Sequence, residues 1–299
     1  MMHRVISASV IAAFVSTTPA LAAEKNFDRS FDVTQGGRLK VDADGGSIAV
    51  TGTDGQKVVV QIRATGAEDR LDNLTFSADR DGEGVAVVAK KKSEVRSWFS
   101  NGPRIQVTVQ VPRQYNVELN TSGGGIKVQQ LNGTANGRTS GGSIDLEAIQ
   151  GTVQMRTSGG SINARSLRGD TQLHTSGGTI VADQVEGDLR AHTSGGSIRI
   201  EQASGLVNAE TSGGSINIDL AGANEGIVAK TSGGGITLRI PSATKGNLNA
   251  STSGGNVSSD LTMSMSESGK SSLRGTLNGG GPEILARSSG GSIRVSKRD

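Results

Sequence analysis

Six side chains that could bind an anion or a metal ion recur at one position of a repeat. They are Arg138, Arg156, His174, His192, Glu210 and Lys230, and each directly precedes a Thr-Ser-Gly-Gly sequence. If successive repeats stack as strands, these side chains form one stripe, mostly basic, along the molecule. Such a stripe suits an acidic polysaccharide, lipopolysaccharide phosphates or nucleic acid. The alternative is an ordinary solvated face, which the interruption by Glu210 and the near-neutral chain favour.

Three of these residues, His174, His192 and Glu210, are also the types that bind zinc. Two imidazoles and a carboxylate on neighbouring strands can take Zn²⁺ with water as the fourth ligand. However, equivalent positions of adjacent strands point in parallel and do not converge, and no partner that would orient the imidazoles is identifiable. We therefore predict no metal site and no cofactor.

A second candidate is the segment KKKSEVRSWFSNGPR, Lys90 to Arg104, which reads as a loop between strands. Its basic residues, including Lys91 and Lys92, accompany Trp98, the only tryptophan. Basic residues beside exposed aromatic rings suit anionic glycans, a membrane surface or single-stranded nucleic acid. We favour the alternative, in which Trp98 and Phe99 fold back as a plug over one end of the core.

The repeat itself predicts the fold that positions these residues. Its first threonines, Thr121, Thr139, Thr157, Thr175, Thr193 and Thr211, follow one another at intervals of 18 residues. Periods near 20 residues are typical of solenoids. Within each repeat apolar and polar residues alternate, which indicates short strands. The inward sets of two repeats would be Ile144, Leu146, Ile149, Val153, Met155 and Thr157, then Ile162, Ala164, Leu167, Thr171, Leu173 and Thr175.

We therefore predict an all-β fold, a β-solenoid (single-stranded β-helix) with turns of about 18 residues and an expected right-handed winding. Paired glycines would form one corner of each turn, because a corner needs positive φ or leaves no room for a side chain. They are Gly141, Gly142, Gly159, Gly160, Gly177, Gly178, Gly195, Gly196, Gly213 and Gly214. Stacked Thr and Ser hydroxyls would satisfy backbone groups there.

The chain divides into three predicted parts. Residues 1–22 have a short basic start, an apolar run and a small-residue end, which predicts a signal peptide cleaved before residue 23. Residues 23–120 would form an N-terminal β segment with a first turn at 45–64 and an end cap. Residues 121–299 would form the repeats, with a polar loop near 262–275. No stretch is long enough to span a membrane.

Three segments carry a family resemblance: FDVTQGGRLKVDADGGSIAVTG, VPRQYNVELNTSGGGIKV and LNGGGPEILARSSGGSIRV. They resemble the bacterial exported repeat domain of unknown function labelled "putative adhesin", over nearly the whole chain after the signal peptide. The resemblance implies a Gly-rich β-solenoid in the cell envelope or outside the cell. It brings no catalytic residues.

We predict an exported, non-enzymatic binding platform or adhesin at the cell envelope, either in the periplasm or on the cell surface. Its expected partner is an acidic glycan, another envelope polyanion or an envelope protein, and nucleic acid is not expected. One alternative is a polysaccharide-active β-helix enzyme. Such a site needs convergent carboxylates or a basic residue in a groove, and we identify no such arrangement in these uniform repeats. The other is a purely structural envelope protein.

Overall fold

The structure is a computed structural model that describes residues 23–82, 84–92 and 102–298. One short helix, α1 (Glu68–Asp72), interrupts the strands. The strands are β1 (Ala23–Asp32), β2 (Arg38–Ala43), β3 (Ser47–Thr53), β4 (Lys57–Gly66), β5 (Leu74–Asp81), β6 (Gly84–Lys91), β7 (Arg104–Pro112), β8 (Asn116–Thr121), β9 (Ile126–Asn132), β10 (Ala135–Thr139), β11 (Ile144–Gln150), β12 (Val153–Thr157), β13 (Ile162–Arg168), β14 (Thr171–His174), β15 (Ile180–Glu186), β16 (Leu189–Thr193), β17 (Ile198–Thr211), β18 (Ile216–Thr231), β19 (Ile236–Pro241), β20 (Gly246–Thr252), β21 (Val257–Ser259), β22 (Ser264–Ser268), β23 (Ser272–Leu277), β24 (Glu283–Ser288) and β25 (Ile293–Arg298). The all-β prediction is confirmed.

The middle of the chain is a solenoid with two ladders of parallel strands. Ladder A runs from β9 through β11, β13 and β15 to the first half of β17. Ladder B runs from β8 through β10, β12, β14 and β16 to the second half of β17. Each 18-residue coil gives one strand to each ladder. The predicted β-solenoid is therefore confirmed, and each coil consists of two short strands separated by corners.

The core consists of aligned columns of small and aliphatic side chains. Ile144, Ile162, Ile180 and Ile198 occupy one register position on neighbouring strands, and all four are fully buried. The two inward sets predicted above are buried in full. Since burying one such aliphatic side chain contributes about 1.5–3 kcal/mol, a core with few aromatic rings still stabilises the rod.

The Thr-Ser-Gly-Gly corner is held by threonine hydroxyls. The Oγ1 atom of Thr175 donates to the carbonyl oxygen of Gly160 in the preceding coil (2.8 Å) and accepts the N–H of Gly178 (3.2 Å). The same pair of bonds recurs at Thr139, Thr157, Thr193, Thr211 and Thr231. The hydroxyl ladder expected for threonine is present. These hydrogen bonds link each corner to the preceding coil.

The glycines of this corner differ from the expectation in one respect. None of the ten has positive φ. The second glycine of each pair is required by space, because a Cβ on Gly160 would overlap the carbonyl group of Gly142 in the coil below. The first glycine has room: a Cβ on Gly159 would lie 3.5 Å from the nearest atom. Close stacking of backbones, and not a left-handed turn, therefore explains the diglycine.

Positive φ occurs at the opposite corner, between ladders A and B. Gly151, Gly169, Gly187 and Gly205 have φ values from 110° to 137°. Three residues before each glycine lies a left-handed residue that is not glycine. These residues are Ala148, Ser166, Gln184 and Gln202, with Gln130 one coil earlier, and their φ values lie between 52° and 57°. They have no partner in the register of ladder A and bend its strands outward.

At the N-terminal end, the order of coils departs from the order of the chain. The coil made of β2 and β3 lies between the coil of β6 and β7 and the coil of β8 and β9, with parallel pairing throughout. The first turn expected at 45–64 is therefore half present. Its strand β3 stacks in the solenoid, whereas β4 pairs antiparallel with β1 and β7.

The C-terminal end repeats this insertion. The coil of β24 and β25 lies between the coil that contains β19 and the coil of β20 and β21. Ser288 donates to the Gly234 carbonyl (2.8 Å), and Thr252 donates to the Gly291 carbonyl (2.7 Å), so the hydroxyl ladder continues through the inserted coil.

The polar loop expected near 262–275 forms a β-hairpin instead. Strand β22 pairs antiparallel with β23, and β23 pairs antiparallel with β20. Leu273 and Leu277 alternate with polar residues and are buried, which anchors the hairpin to the end of the rod. The sequence of β22 did not predict a strand, because β22 is rich in serine and is exposed at every position, so it lacks an alternation of apolar and polar residues.

Candidate functional site

The predicted stripe lies on ladder B, one residue before the Thr-Ser-Gly-Gly corner. Register aligns its members one coil apart, in the order Arg138, Arg156, His174, His192, Glu210 and Lys230. Each stands between two inward residues, as Arg156 stands between the buried Met155 and Thr157. The strand backbone therefore turns these side chains outward at a spacing of about 4.8 Å.

The positive charge of the stripe is uneven. Within the described part of the chain, Arg138 and Arg156 form no ion pair. Lys230, by contrast, is paired with Glu210 through its Nζ and Oε1 atoms at 3.2 Å. The uncompensated charge therefore lies at the arginine end of the stripe, and Lys230 contributes less than its position in the sequence suggests.

The two histidines stack face to face. The ring centroids of His174 and His192 are 5.0 Å apart, and the ring planes differ by 4°. Burial lowers the pKa of His174, and the neighbouring His192 and Arg156 lower it further. In this arrangement the two parallel rings do not converge on one point with Glu210. Residues 23–82, 84–92 and 102–298 contain no cluster of three ligating side chains that could hold a metal ion.

Serine hydroxyls flank the arginines. Arg138, Arg156 and His174 line a groove of about 540 Å³ together with Ser140, Ser158 and Ser176 of the adjoining corner. We call these six residues the arginine groove. At one end lie Asp42 and Asp44, and Asp42 is neutralised by Lys90 through an Nζ–Oδ2 contact of 2.7 Å.

The inserted C-terminal coil adds a residue that the sequence did not suggest. Arg287 lies in register with Lys230, directly above it on ladder B. The two line a second groove of about 450 Å³ with serines of the corner. In the sequence, Arg287 can be recognised by the Ser288-Ser289-Gly-Gly sequence that follows it, as Thr-Ser-Gly-Gly follows the six residues of the stripe. Only the stacking order shows that Arg287 is the neighbour of Lys230.

The second predicted site lies apart from the stripe. Lys91 is the last residue of β6, and Lys92 follows it. Two strands, β2 and β8, lie between β6 and β10, the strand that contains Arg138. The Nζ atom of Lys92 donates to the carbonyl oxygen of Asp72 (2.8 Å). Trp98 and Phe99 lie outside the described residues, so the proposed plug stays a prediction.

A further groove occupies the corner of left-handed residues. Its volume is about 710 Å³, and it extends from Arg113 to Gly222 across successive coils. Seven of its fifteen lining residues carry a side-chain amide or hydroxyl. Sequence analysis did not predict this groove, because glutamine and serine at those positions resemble ordinary exposed residues.

Comparison with known proteins identifies the family and the fold. The family model described as Toastrack DUF4097 matches residues 36–296. A solved structure described as "putative adhesin" from Parabacteroides distasonis ATCC 8503 is similar with a TM-score of 0.50 and 10% identity, over 92% of this chain and 97% of that one. Another so described, from Parabacteroides merdae ATCC 43184, has a TM-score of 0.39 and 12% identity, over 92% and 97% of the two chains.

A third solved structure, described as "Putative lipid binding protein" from Parabacteroides distasonis ATCC 8503, has a TM-score of 0.32 and 13% identity, with coverage of 92% and 97%. No curated protein matches the chain. A search of the described residues finds no helix long and apolar enough to cross a membrane.

Proposed function

Since the chain belongs to the Toastrack DUF4097 family, we propose that it is an exported, non-enzymatic adhesin or binding protein of the cell envelope. The proposed ligand is an acidic glycan or another envelope polyanion, held in the arginine groove. The adhesin description of the solved structure from Parabacteroides distasonis agrees with such a role.

The observation that carries the proposal is the pair of uncompensated guanidinium groups in consecutive coils. Arg138 and Arg156 lie in register about 4.8 Å apart on a rigid parallel ladder. A guanidinium group binds carboxylate or phosphate through two parallel hydrogen bonds, which a lysine cannot match. The serine hydroxyls beside them add donors. A ligand with repeating negative charges can therefore contact both arginines at once.

The same geometry favours binding over catalysis. General acid and base catalysis requires groups that converge on one reacting atom. The stripe presents its side chains in parallel, one coil apart, and its carboxylate, Glu210, is occupied by Lys230. These features suit an extended ligand that lies along the rod.

The test is retention on immobilised polygalacturonate, alginate, heparin and lipopolysaccharide. The double variant Arg138→Ala/Arg156→Ala is compared with Arg199→Ala/Arg294→Ala, which removes the same charge from exposed positions of ladder A. We expect the first variant to lose about tenfold or more in affinity for at least one probe, since hydrogen bonds to charged groups contribute roughly 1.5–3 kcal/mol each. The control should bind like the unmodified protein.

Two results would contradict the proposal. If both double variants lost the same affinity, binding would depend only on net charge. If no probe retained the unmodified protein, the groove would not be a polyanion-binding site. Cleavage of a retained polysaccharide would overturn the non-enzymatic assignment. Binding to lipopolysaccharide alone, lost when its lipid is removed, would favour a lipid ligand instead.

A further inference from the structure

The corner opposite the diglycines contains a row of strained residues that carry side chains. Gln130, Ala148, Ser166, Gln184 and Gln202 all have left-handed backbones. A residue with a Cβ is disfavoured in this conformation by roughly 1–2 kcal/mol, and glycine avoids that cost. This chain uses glycine freely, with 44 in all, yet not at these five positions. Strain of this kind, here repeated in five successive coils, clusters at functional sites in proteins.

The left-handed residues border a straight trough. On its other side lies a second aligned row, formed by Asn132, Gln150, Arg168, Glu186 and Ser204. We call the space between these two rows the amide trough. It corresponds to the groove of about 710 Å³. Five coils at a spacing of about 4.8 Å give it a length of roughly 20 Å, enough for several units of an extended polymer.

The trough is polar but electrically balanced. Its charged side chains are all engaged in ion pairs: Arg168 Nε lies 3.1 Å from Glu186 Oε2, and Arg113 Nε lies 2.6 Å from Asp54 Oδ1. The contrast with the arginine groove is direct, because Arg138 and Arg156 have no such partner among the described residues. A charged ligand therefore gains little from the trough.

Most of the amides in the trough have free hydrogen-bonding capacity. Ser166 donates to Gln184 Oε1 at 2.8 Å. The side chains of Gln130, Asn132, Gln150 and Gln202 form no hydrogen bond with any other described residue. Each carries both a donor and an acceptor. The hydroxyl groups of an uncharged sugar match both at once, because each hydroxyl is itself a donor and an acceptor.

We infer that the amide trough is a second binding site, which takes an extended neutral polysaccharide. The left-handed backbone projects one side chain per coil along one rim, and the ladder supplies the other rim. The ligand lies parallel to the rod axis and exchanges hydrogen bonds with amides of successive coils. Ile149 and Leu167, which lie between the two rows in the sequence of their strands, also line the trough. The site is independent of the arginine groove, which lies at the other corner of each coil.

The test is native gel electrophoresis with dextran, mannan, laminarin or soluble starch in the gel. The double variant Gln150→Ala/Gln202→Ala, which removes two amides without an internal hydrogen bond, is compared with Gln154→Ala/Gln172→Ala, which removes two amides from ladder B. We expect at least one polysaccharide to retard the unmodified protein and the trough variant to bind about tenfold more weakly, as expected for two lost hydrogen bonds. The control variant and Arg138→Ala/Arg156→Ala should each be retarded as much as the unmodified protein, with retardation measured against the same variant in a gel without polysaccharide. Retardation should persist in 0.5 M salt, about the level at which charge interactions are strongly screened.

Hydrogen exchange gives a second readout that does not depend on the variants. The retarding polysaccharide should slow exchange in peptides that contain residues 148–150, 166–168 and 184–186. The inference is overturned if no neutral polysaccharide retards the protein, if the trough variant binds as well as the control, or if protection falls on ladder B. These outcomes concern neutral polysaccharides only, so they leave the proposed function intact, which Arg138→Ala/Arg156→Ala tests with the acidic probes.

Discussion

The two corners of each coil both turn the chain from one ladder to the other, but they differ in residue type and backbone conformation. The Thr-Ser-Gly-Gly corner places a glycine where a neighbouring backbone leaves no room, and its φ is ordinary. The opposite corner places a residue with a side chain where the backbone is left-handed. At the Thr-Ser-Gly-Gly corner, the absence of a side chain on glycine lets the coils lie close together. At the opposite corner, a strained backbone conformation carries residues that have side chains. From this difference we infer that the first corner maintains the fold and the second presents side chains for binding.

The strongest test of this contrast is Gly160→Ala. The new methyl group would overlap the Gly142 carbonyl of the preceding coil. We expect the free energy of unfolding to fall by about 3 kcal/mol, the upper end for overpacking. Gly159→Ala is the matched control, because a Cβ there has 3.5 Å of clearance. It should change stability by less than about 0.5 kcal/mol. Urea denaturation measures both, and equal losses would refute the spatial explanation.

The second prediction concerns the hydroxyl that closes the same corner. Thr175→Val keeps the shape but leaves the Gly178 N–H and the Gly160 carbonyl without their partner. We expect a loss of about 2 kcal/mol, because a buried polar group left unsatisfied costs about 1–3 kcal/mol. Thr175→Ser should restore most of the stability, since Ser288 makes both bonds in its own coil. Failure of serine to rescue would assign the effect to the methyl group.

The third prediction is a gain of stability at the opposite corner. Ala148→Gly removes the Cβ from a residue with φ of 54°. Since glycine adopts this conformation without steric cost, we expect unfolding free energy to rise by about 0.5–1 kcal/mol. The same replacement at Ala164, a buried strand residue, should lower stability instead. Thermal denaturation of the two variants gives opposite shifts if the left-handed backbone is strained.

The smallest expected effect is a pH dependence near the arginine groove. Burial, His192 and Arg156 lower the pKa of His174 below that of the unfolded chain, which is about 6.5. The unfolded state therefore binds more protons as the pH falls through that value, so stability should decline below about pH 6.5 and be insensitive to His174 above it. Denaturation curves of His174→Gln should lack this component. An unchanged pH profile in the variant would contradict the assignment.

The sequence predicts the middle of the molecule well. Eighteen-residue spacing and alternation gave the all-β solenoid, the inward sets and the aligned isoleucines, because each of these depends on residues within one repeat. It could not give the two ends. The insertion of the coil of β2 and β3, and of the coil of β24 and β25, depends on pairing between segments distant in the chain. Periodicity carries no information about that order.

The candidate sites divide in the same way. The alignment of Arg138 with Arg156 follows from the repeat, whereas the neutralisation of Lys230, the position of Arg287 and the amide trough do not. The sequence by itself determined which residues recur at each level, because composition and spacing fix the inward and outward faces of a strand. Only the tertiary structure decided which coils touch and which backbone is left-handed, because contacts across coils determine both.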